Sequence, residues 1–140
     1  MLPKHLTILV DSREKKPWVF PSSIKIFETQ AQSRPSLVTF TTKVAKLDSG
    51  DYALDGLTDK CLVEKKASLN EIYGNCCTDD LLRFRKALVR LRAATANPVL
   101  ILEATPAELS RATRVCDNPP RAWDLFVREV HRARVQLFWT

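Results

Sequence analysis

Apolar runs and a regular alternation of apolar and polar residues predict β-strands in the first half of the chain. Residues 6–11, LTILVD, form a compact apolar run that ends in a charged group, as is typical of a buried strand. From residue 38 to residue 44, β-branched or aromatic residues at even positions alternate with polar residues, which predicts a half-buried strand over 37–44. Residues 24–27 fit a short edge strand inside a segment punctuated by prolines.

A β-hairpin is predicted between residues 47 and 66. Its first strand follows a turn at Ser49-Gly50, a second turn lies at Asp55-Gly56, and its second strand runs from about Cys61 to Lys66. Side chains alternate along a strand, so each face takes every second residue. The predicted faces are Leu62, Glu64 and Lys66 on one side and Cys61, Val63 and Lys65 on the other.

Helical patterns fill much of the second half. A capping-box pattern at residues 68–71 predicts a short helix, which residues 74–77 interrupt. A longer helix is predicted from near Thr78 or Asp79 and ends at Asn97-Pro98. The residues at helical spacing on its predicted buried face are Leu81, Phe84, Leu88 and Leu91.

The remaining segments complete an α/β pattern. Residues 99–102 are a continuous apolar run, which predicts a central strand covered on both faces. Thr105-Pro106 predicts the start of another helix, a final helix runs from about Arg121 to Ala133, and residues 135–139 form a last strand. Strands followed by alternating helices and strands predict a mixed β-sheet flanked by α-helices.

Length and composition are typical of one globular domain, predicted to span residues 1–140. The formal net charge of +6 favours polyanionic partners, with nucleic acid first. The apolar run near the N-terminus is too short for a signal peptide or a membrane span, so we expect no membrane association. The four cysteines show no CxxC spacing, which favours reduced thiols over a zinc site. Reduced thiols in turn predict a cytoplasmic location, or a nuclear one in a eukaryote.

The predicted hairpin brings acidic and basic groups together. It places the Asp51 carboxylate close to Glu64, with the Lys66 ammonium beside both. Two acidic oxygens and an amine are suited to a Mg²⁺ site with a group that orients or polarises a water molecule. Asp11 is predicted as an additional acidic ligand of the Mg²⁺ ion, direct or through water. The backbone carbonyl of Lys65 is predicted as a third protein oxygen on the ion. The alternative is a surface cluster of salt bridges, with Asp51 and Glu64 apart or facing solvent.

Two further groups of charged residues have open interpretations. Arg13 either binds phosphate or forms an internal ion pair, and Glu14 either supports the site or forms a salt bridge. The basic stripe of the long helix either contacts the DNA backbone or is a solvated helix face. Its residues are Arg83, Lys86 and Arg90.

Several of these residues together resemble a known pattern. The motifs Asp11-x-Arg13-Glu14, Gly50-Asp51-Tyr52 and Val63-Glu64-Lys65-Lys66 are similar to those of the xeroderma pigmentosum group F (XPF) nuclease domain. That family belongs to the PD-(D/E)xK superfamily and has a restriction-endonuclease-like fold. The resemblance runs from about residue 6 to residue 102. It implies a Mg²⁺-dependent endonuclease, with Mn²⁺ as a substitute, that hydrolyses branched or distorted DNA in repair, recombination or phage DNA processing.

The sequence departs from the family pattern at two positions. Lys65 replaces an arginine, and Asn70 stands where a final aspartate is expected, although Glu71 is a partial substitute next to it. These changes motivate one alternative, a catalytically inactive nuclease-like module that binds DNA or a dimer partner. A second alternative is an RNA-directed nuclease that uses the same metal site. The resemblance also implies that the chain forms a homodimer or heterodimer through the final helix and residues 135–139. It further implies that the chain is a stand-alone member of the family, of bacterial or phage type.

Overall fold

The computed structural model of the protein describes residues 3–140, which form a β-sheet and four α-helices. The strands are β1 His5–Asp11, β2 Ser23–Ile26, β3 Ser36–Ala45, β4 Tyr52–Leu54, β5 Cys61–Lys66, β6 Asn97–Leu102 and β7 Gln136–Trp139. The helices are α1 Leu69–Cys76, α2 Leu81–Ala94, α3 Pro106–Ser110 and α4 Pro119–Arg132.

All the strands belong to one seven-stranded mixed sheet with the order β2-β3-β1-β4-β5-β6-β7. The pairs β1–β3, β5–β6 and β6–β7 are parallel, and the pairs β2–β3, β1–β4 and β4–β5 are antiparallel. This topology confirms the predicted α/β fold with a mixed sheet. It also explains the apolar run of β1, because that strand lies in the interior of the sheet between β3 and β4.

The helices cover one face of the sheet and form the larger apolar core. In that core Ile72 of α1, Leu91 of α2 and Phe126 of α4 pack with Leu100 and Leu102 of β6. The opposite face has a smaller cluster in which Trp18 stacks on Tyr52 at 4.5 Å between ring centroids. One face of the sheet is therefore much better protected from water than the other.

This asymmetry corrects two predictions about burial. In β6, Leu100 and Leu102 are fully buried but Val99 and Ile101 are only half-buried, so the prediction that both faces are covered was wrong. In β3, Val38 is buried as predicted, whereas Val44 is 72% exposed. The C-terminal half of β3 extends beyond its pairing with β2, which ends at Thr39.

Two helix boundaries also differ from the prediction. Helix α1 continues through Gly74 to Cys76, and α2 begins only at Leu81. Between them, the Thr78 hydroxyl donates to the Gly74 carbonyl at 2.5 Å and accepts from the Asp80 amide at 3.2 Å. Thr78 therefore stabilises the turn between the helices instead of starting the second one. Within residues 3–140, no helix has both the length and the apolar character needed to cross a bilayer.

Candidate active site

The ends of three neighbouring strands meet at one edge of the sheet. The amide of Asp11, the last residue of β1, donates to the Asp51 carbonyl at 2.8 Å. The amide of Asp51 in turn donates to the Val63 carbonyl of β5 at 2.7 Å. These two backbone hydrogen bonds bring Asp11, Asp51 and the Glu64–Lys66 segment to the same place.

Gly50 allows this close approach of the chain before β4. Its φ angle of +78° lies in the left-handed region, which favours glycine. A Cβ atom at this position would lie 3.1 Å from the Val63 carbonyl oxygen and 3.5 Å from Leu91. The glycine of the Gly-Asp pair is thus required both for the turn and for the contact between the turn and β5.

The strand ends form the floor of a cleft of about 500 Å³ that α1 and α2 close on one side. The cleft is lined by Asp11, Arg13, Asp48, Ser49, Gly50, Asp51, Glu64, Lys66, Asn75, Asp80, Arg83, Phe84, Ala87 and Arg90. Ligand sites commonly have this size. A carboxylate-rich floor with arginines on the wall is suited to a ligand that combines a divalent cation with phosphate groups.

Asp51 and Glu64 lie together in this cleft, as the hairpin prediction expected. Burial and the negative charge of Glu64 raise the pKa of Asp51 from 3.8 to about 6, although the Lys65 amide donates to Asp51 Oδ2 at 2.7 Å. Two carboxylates that oppose each other's ionisation favour a cation between them. Glu64 also forms an ion pair, with its Oε1 3.2 Å from Lys66 Nζ, so the role of Asp51 and Glu64 as metal ligands stays a prediction.

Lys66 is a buried cation next to this pair. Its side chain is 10% exposed, and its Nζ lies 3.2 Å from Glu64 Oε1 and 3.2 Å from Glu71 Oε1. Burial acts to lower the pKa of Lys66, but the charges of Glu64 and Glu71 outweigh it, so the pKa is raised. Lys66 is therefore an ammonium group at neutral pH, held at the edge of the acidic pair.

The partner of Lys66 on α1 is Glu71 and not Asn70. Glu71 also accepts from the Ala67 amide at 2.8 Å, while the Ser68 hydroxyl accepts from the Glu71 amide at 3.2 Å. Asn70 is exposed and accepts a hydrogen bond from the Thr113 hydroxyl at 2.7 Å. The carboxylate that Asn70 lacks is thus present one residue later, in contact with the lysine.

Asp11 lines the cleft, but both of its carboxylate oxygens already have partners. Oδ1 accepts from the Leu47 amide at 3.0 Å, and Oδ2 accepts from Arg13 Nε at 2.7 Å. Burial acts to raise the pKa of Asp11, and these hydrogen bonds lower it below its usual range. Arg13 also donates to the Leu47 carbonyl at 2.6 Å. The internal ion pair considered for Arg13 is present, and the role of Asp11 as a ligand stays a prediction.

Lys65 and Glu14 lie on the other face of the sheet. Lys65 Nζ donates to the Lys16 carbonyl at 2.5 Å, lies 3.3 Å from Glu14 Oε1 and sits over the Trp18 ring. Neither side chain lines the cleft. Lys65, which stands where the family has arginine, therefore makes structural contacts away from the cleft. Metal binding by the Lys65 carbonyl stays a prediction.

The basic stripe of α2 borders the cleft. Arg83 and Arg90 line it together with Arg13, and all three also line an adjoining groove of about 1010 Å³ on the outer side of α2. Lys86 lines only the outer groove. The contact of these residues with DNA stays a prediction.

Two cleft residues that sequence reasoning missed are Asn75 and Asp80. Asn75 lies four residues after Glu71 on α1, a spacing that places both on the same helix face. The Asn75 amide oxygen is buried and has no hydrogen-bond partner within residues 3–140. Asp80 is the N-cap residue of α2, but its side chain makes no capping hydrogen bond. The Glu71–Asn75 spacing was the one sequence signal available for Asn75.

The side chains present fit a magnesium ion. Within residues 3–140, no three His, Cys, Asp or Glu side chains form a group able to hold a metal. Magnesium commonly binds to only one or two carboxylates and keeps water or substrate phosphates as its other ligands. Asp51 and Glu64 supply such a pair, and the raised pKa of Asp51 is the observation that favours a cation beside them.

Comparison with known proteins agrees with the architecture. No protein-family model matches the sequence, and no curated protein matches it. Among solved structures, the chain is similar to XPF from Aeropyrum pernix, with a TM-score of 0.60 and 15% sequence identity. The chain has an XPF-type fold. It is similar to the same protein in complex with DNA, with a TM-score of 0.59 and 16% identity.

The XPF-type fold extends over more of the chain than the sequence motifs indicated. Each match covers 96% of this chain, compared with the predicted range of residues 6–102. Coverage of this extent includes most of the last helix, α4, in the shared architecture. The chain spans about 56% of the length of those XPF structures.

Proposed function

We propose that this chain is a divalent-metal-dependent DNA endonuclease that hydrolyses phosphodiester bonds in branched or distorted DNA. The observation that carries the proposal is the Asp51–Glu64 pair beside the buried Lys66 ammonium, in an arginine-lined cleft of an XPF-type fold. The preference for branched DNA rests on the resemblance to the XPF family.

Each group in the cleft has a distinct part in this proposal. Asp51 and Glu64, with the Lys65 carbonyl, would hold Mg²⁺ or Mn²⁺. A bound ion would supply charge neutralisation at the scissile phosphate and lower the pKa of a bound water. Lys66 orients a water molecule through its N–H groups. Asp11 holds Arg13 at the mouth of the cleft, where its guanidinium binds phosphate together with Arg83.

The direct test is cleavage of labelled flap, fork, four-way-junction and single-stranded DNA with Mg²⁺, Mn²⁺ or EDTA. Asp51→Asn and Lys66→Met each remove one proposed group, and we expect each to lower the cleavage rate by about 100-fold or more. Asp59→Asn and Lys60→Met are matched controls, because these residues form an exposed ion pair outside the cleft. Both controls should cut at the wild-type rate.

The same assay separates the alternatives. Folded wild-type protein that binds these DNAs but cuts none would indicate an inactive nuclease-like module. Preferential cutting of matched RNA strands would indicate an RNA-directed nuclease. Cutting that survives in both Asp51→Asn and Lys66→Met would show that the active site lies elsewhere.

We further propose that a second copy or a related chain pairs with the edge formed by β7 and α4. Strand β7 is an edge strand, with Phe138 and Trp139 more than half exposed. Trp139 also lines an apolar groove with Leu109 and Trp123. Light scattering coupled to size exclusion should give a dimer mass for the wild type and a monomer mass for Trp139→Glu. A monomeric wild type would refute pairing between identical copies.

A further inference from the structure

Lys66 has more hydrogen-bonding capacity than its two observed partners use. An ammonium group has three N–H donors, and Lys66 Nζ contacts one oxygen of Glu64 and one of Glu71. Under the proposed function, Glu64 also coordinates a divalent cation. A carboxylate that does so offers a weaker acceptor to a neighbouring ammonium, and the cation itself repels Lys66.

Asn75 has an acceptor oxygen that lacks a hydrogen-bond donor. Its Oδ1 is buried without a donor within residues 3–140, an arrangement that is ordinarily destabilising. Asn75 lies one helical turn after Glu71, which contacts Lys66 at 3.2 Å. The next residue, Cys76, is also near enough to Lys66 to be affected by its charge: burial raises the pKa of the Cys76 thiol, and the Lys66 charge opposes that rise. Asn75 and Lys66 line the same cleft, which therefore contains both an acceptor without a donor and an ammonium with one N–H beyond its two carboxylate contacts.

We infer that Asn75 is a positioning residue that accepts a hydrogen bond from the Lys66 ammonium when Glu64 turns towards a divalent cation. This inference rests on the proposed function of the cleft. The neutral amide serves here better than a third carboxylate, because it holds the ammonium without adding another negative charge. Lys66 then stays beside the reacting phosphate while Glu64 is free to bind the metal.

The test is a double-mutant cycle on Mn²⁺ affinity, measured by calorimetry on the full chain without DNA. In Asn75→Leu, Lys66 has no replacement acceptor and continues to compete for Glu64, so we expect the Mn²⁺ Kd to rise about tenfold. In the Lys66→Met background no ammonium needs a new partner, and Asn75→Leu should leave the Kd unchanged.

Thermal unfolding in EDTA distinguishes positioning from a general structural role. Removing an unsatisfied buried oxygen should leave the unfolding midpoint of Asn75→Leu equal to that of the wild type or higher. Thr95→Val is the matched control, because the Thr95 hydroxyl is the other buried side-chain oxygen without a partner within residues 3–140 and lies outside the cleft. It should keep the wild-type Mn²⁺ affinity.

Three results would overturn the inference. An equal loss of Mn²⁺ affinity from Asn75→Leu in both backgrounds, or no loss in either, removes the coupling to Lys66. A similar loss in Thr95→Val shows that the effect is not specific to the cleft. If one of these results is found while the wild type binds Mn²⁺, the proposed metal site stands and only the role of Asn75 fails. If the wild type binds no Mn²⁺, both fail together.

Discussion

At the residue scale, the ionisation of Asp51 links the chemistry of the cleft to the stability of the fold. The raised pKa of Asp51, about 6, means that the folded protein holds this proton more tightly than the unfolded chain does. In the absence of metal, the free energy of unfolding therefore falls as the pH rises from about 4 to 6, and the loss is complete above pH 6. A bound divalent cation reverses this penalty, because it favours the ionised carboxylate.

We therefore expect Asp51→Asn to stabilise the metal-free protein at neutral pH. The neutral amide avoids the unfavourable buried charge, and the gain should be about 1–2 kcal/mol after allowance for the solvent that still reaches the group. Urea unfolding in EDTA at pH 7.5 and pH 4 measures it. The gain should disappear at pH 4, and a variant less stable than the wild type at pH 7.5 would contradict the proposed environment of Asp51.

The same pKa predicts how metal binding depends on pH. Protons compete with the cation for Asp51, so Mn²⁺ affinity should decrease by about tenfold per pH unit below pH 6 and level off above it. Calorimetric titrations between pH 5 and pH 8 measure the profile. The Asp51→Asn variant is the control, because its residual affinity should lack this inflection.

At the element scale, the turn before β4 sets the position of Asp51. Gly50→Ala adds a Cβ in the left-handed region and 3.1 Å from the Val63 carbonyl oxygen. We expect it to destabilise the protein by about 1–3 kcal/mol and to weaken Mn²⁺ binding, because the strained turn displaces the carboxylate. Gly56→Ala is the control, since Gly56 has a similar φ of +74° but no atom within 4 Å of an added Cβ. It should lose stability while keeping its Mn²⁺ affinity.

Helix α2 should contribute to DNA affinity through charge. Arg83→Gln, Lys86→Gln and Arg90→Gln each remove one candidate phosphate contact, so each should raise the Kd severalfold and reduce the salt slope by about 0.9. Fluorescence anisotropy with duplex DNA at several salt concentrations measures both quantities. Arg128→Gln on α4 is the control, because Arg128 pairs with Asp124 outside the cleft. An equal effect from this control would mean that only net charge matters.

At the scale of the whole molecule, an ion pair joins the helix that borders the cleft to the rest of the fold. Arg85 of α2 donates to both oxygens of Glu129 on α4 at 2.7 and 2.8 Å, and Glu129 is only 5% exposed. The hydrogen bonds from Arg85 hold the pKa of Glu129 below its usual range. The stability that this carboxylate contributes is therefore present at neutral pH and is lost as the pH falls below about 4.

We expect Arg85→Met to lower the thermal midpoint at pH 7 by about 5 °C, because it removes the bidentate partner of a buried carboxylate and leaves it the weaker hydrogen bond from Arg132. Calorimetric unfolding at pH 7 and pH 3 checks this. The difference from wild type should shrink at pH 3, and adding Glu129→Gln should recover much of the loss at pH 7. A difference that is the same at both pH values would point to lost packing instead of charge.

Local patterns in the sequence were enough to predict the α/β fold, the hairpin and the alternation that places Lys66 and Lys65 on opposite faces of a strand. These features depend on local signals, namely the apolar runs, the Gly50 and Gly56 turns and the two-residue period of a strand. That period is enough to place Glu64 and Lys66 on one face without knowledge of the rest of the chain.

Contacts between different elements became known only from the tertiary structure. It showed that Asn75 of α1 borders the cleft and that the Leu47 amide, 36 residues away in sequence, donates to Asp11. It also showed that Val44 is exposed, because burial of a strand position depends on what packs above it. The physical reason is the same in each case: contacts between distant segments depend on sheet order and helix placement, which no local pattern encodes.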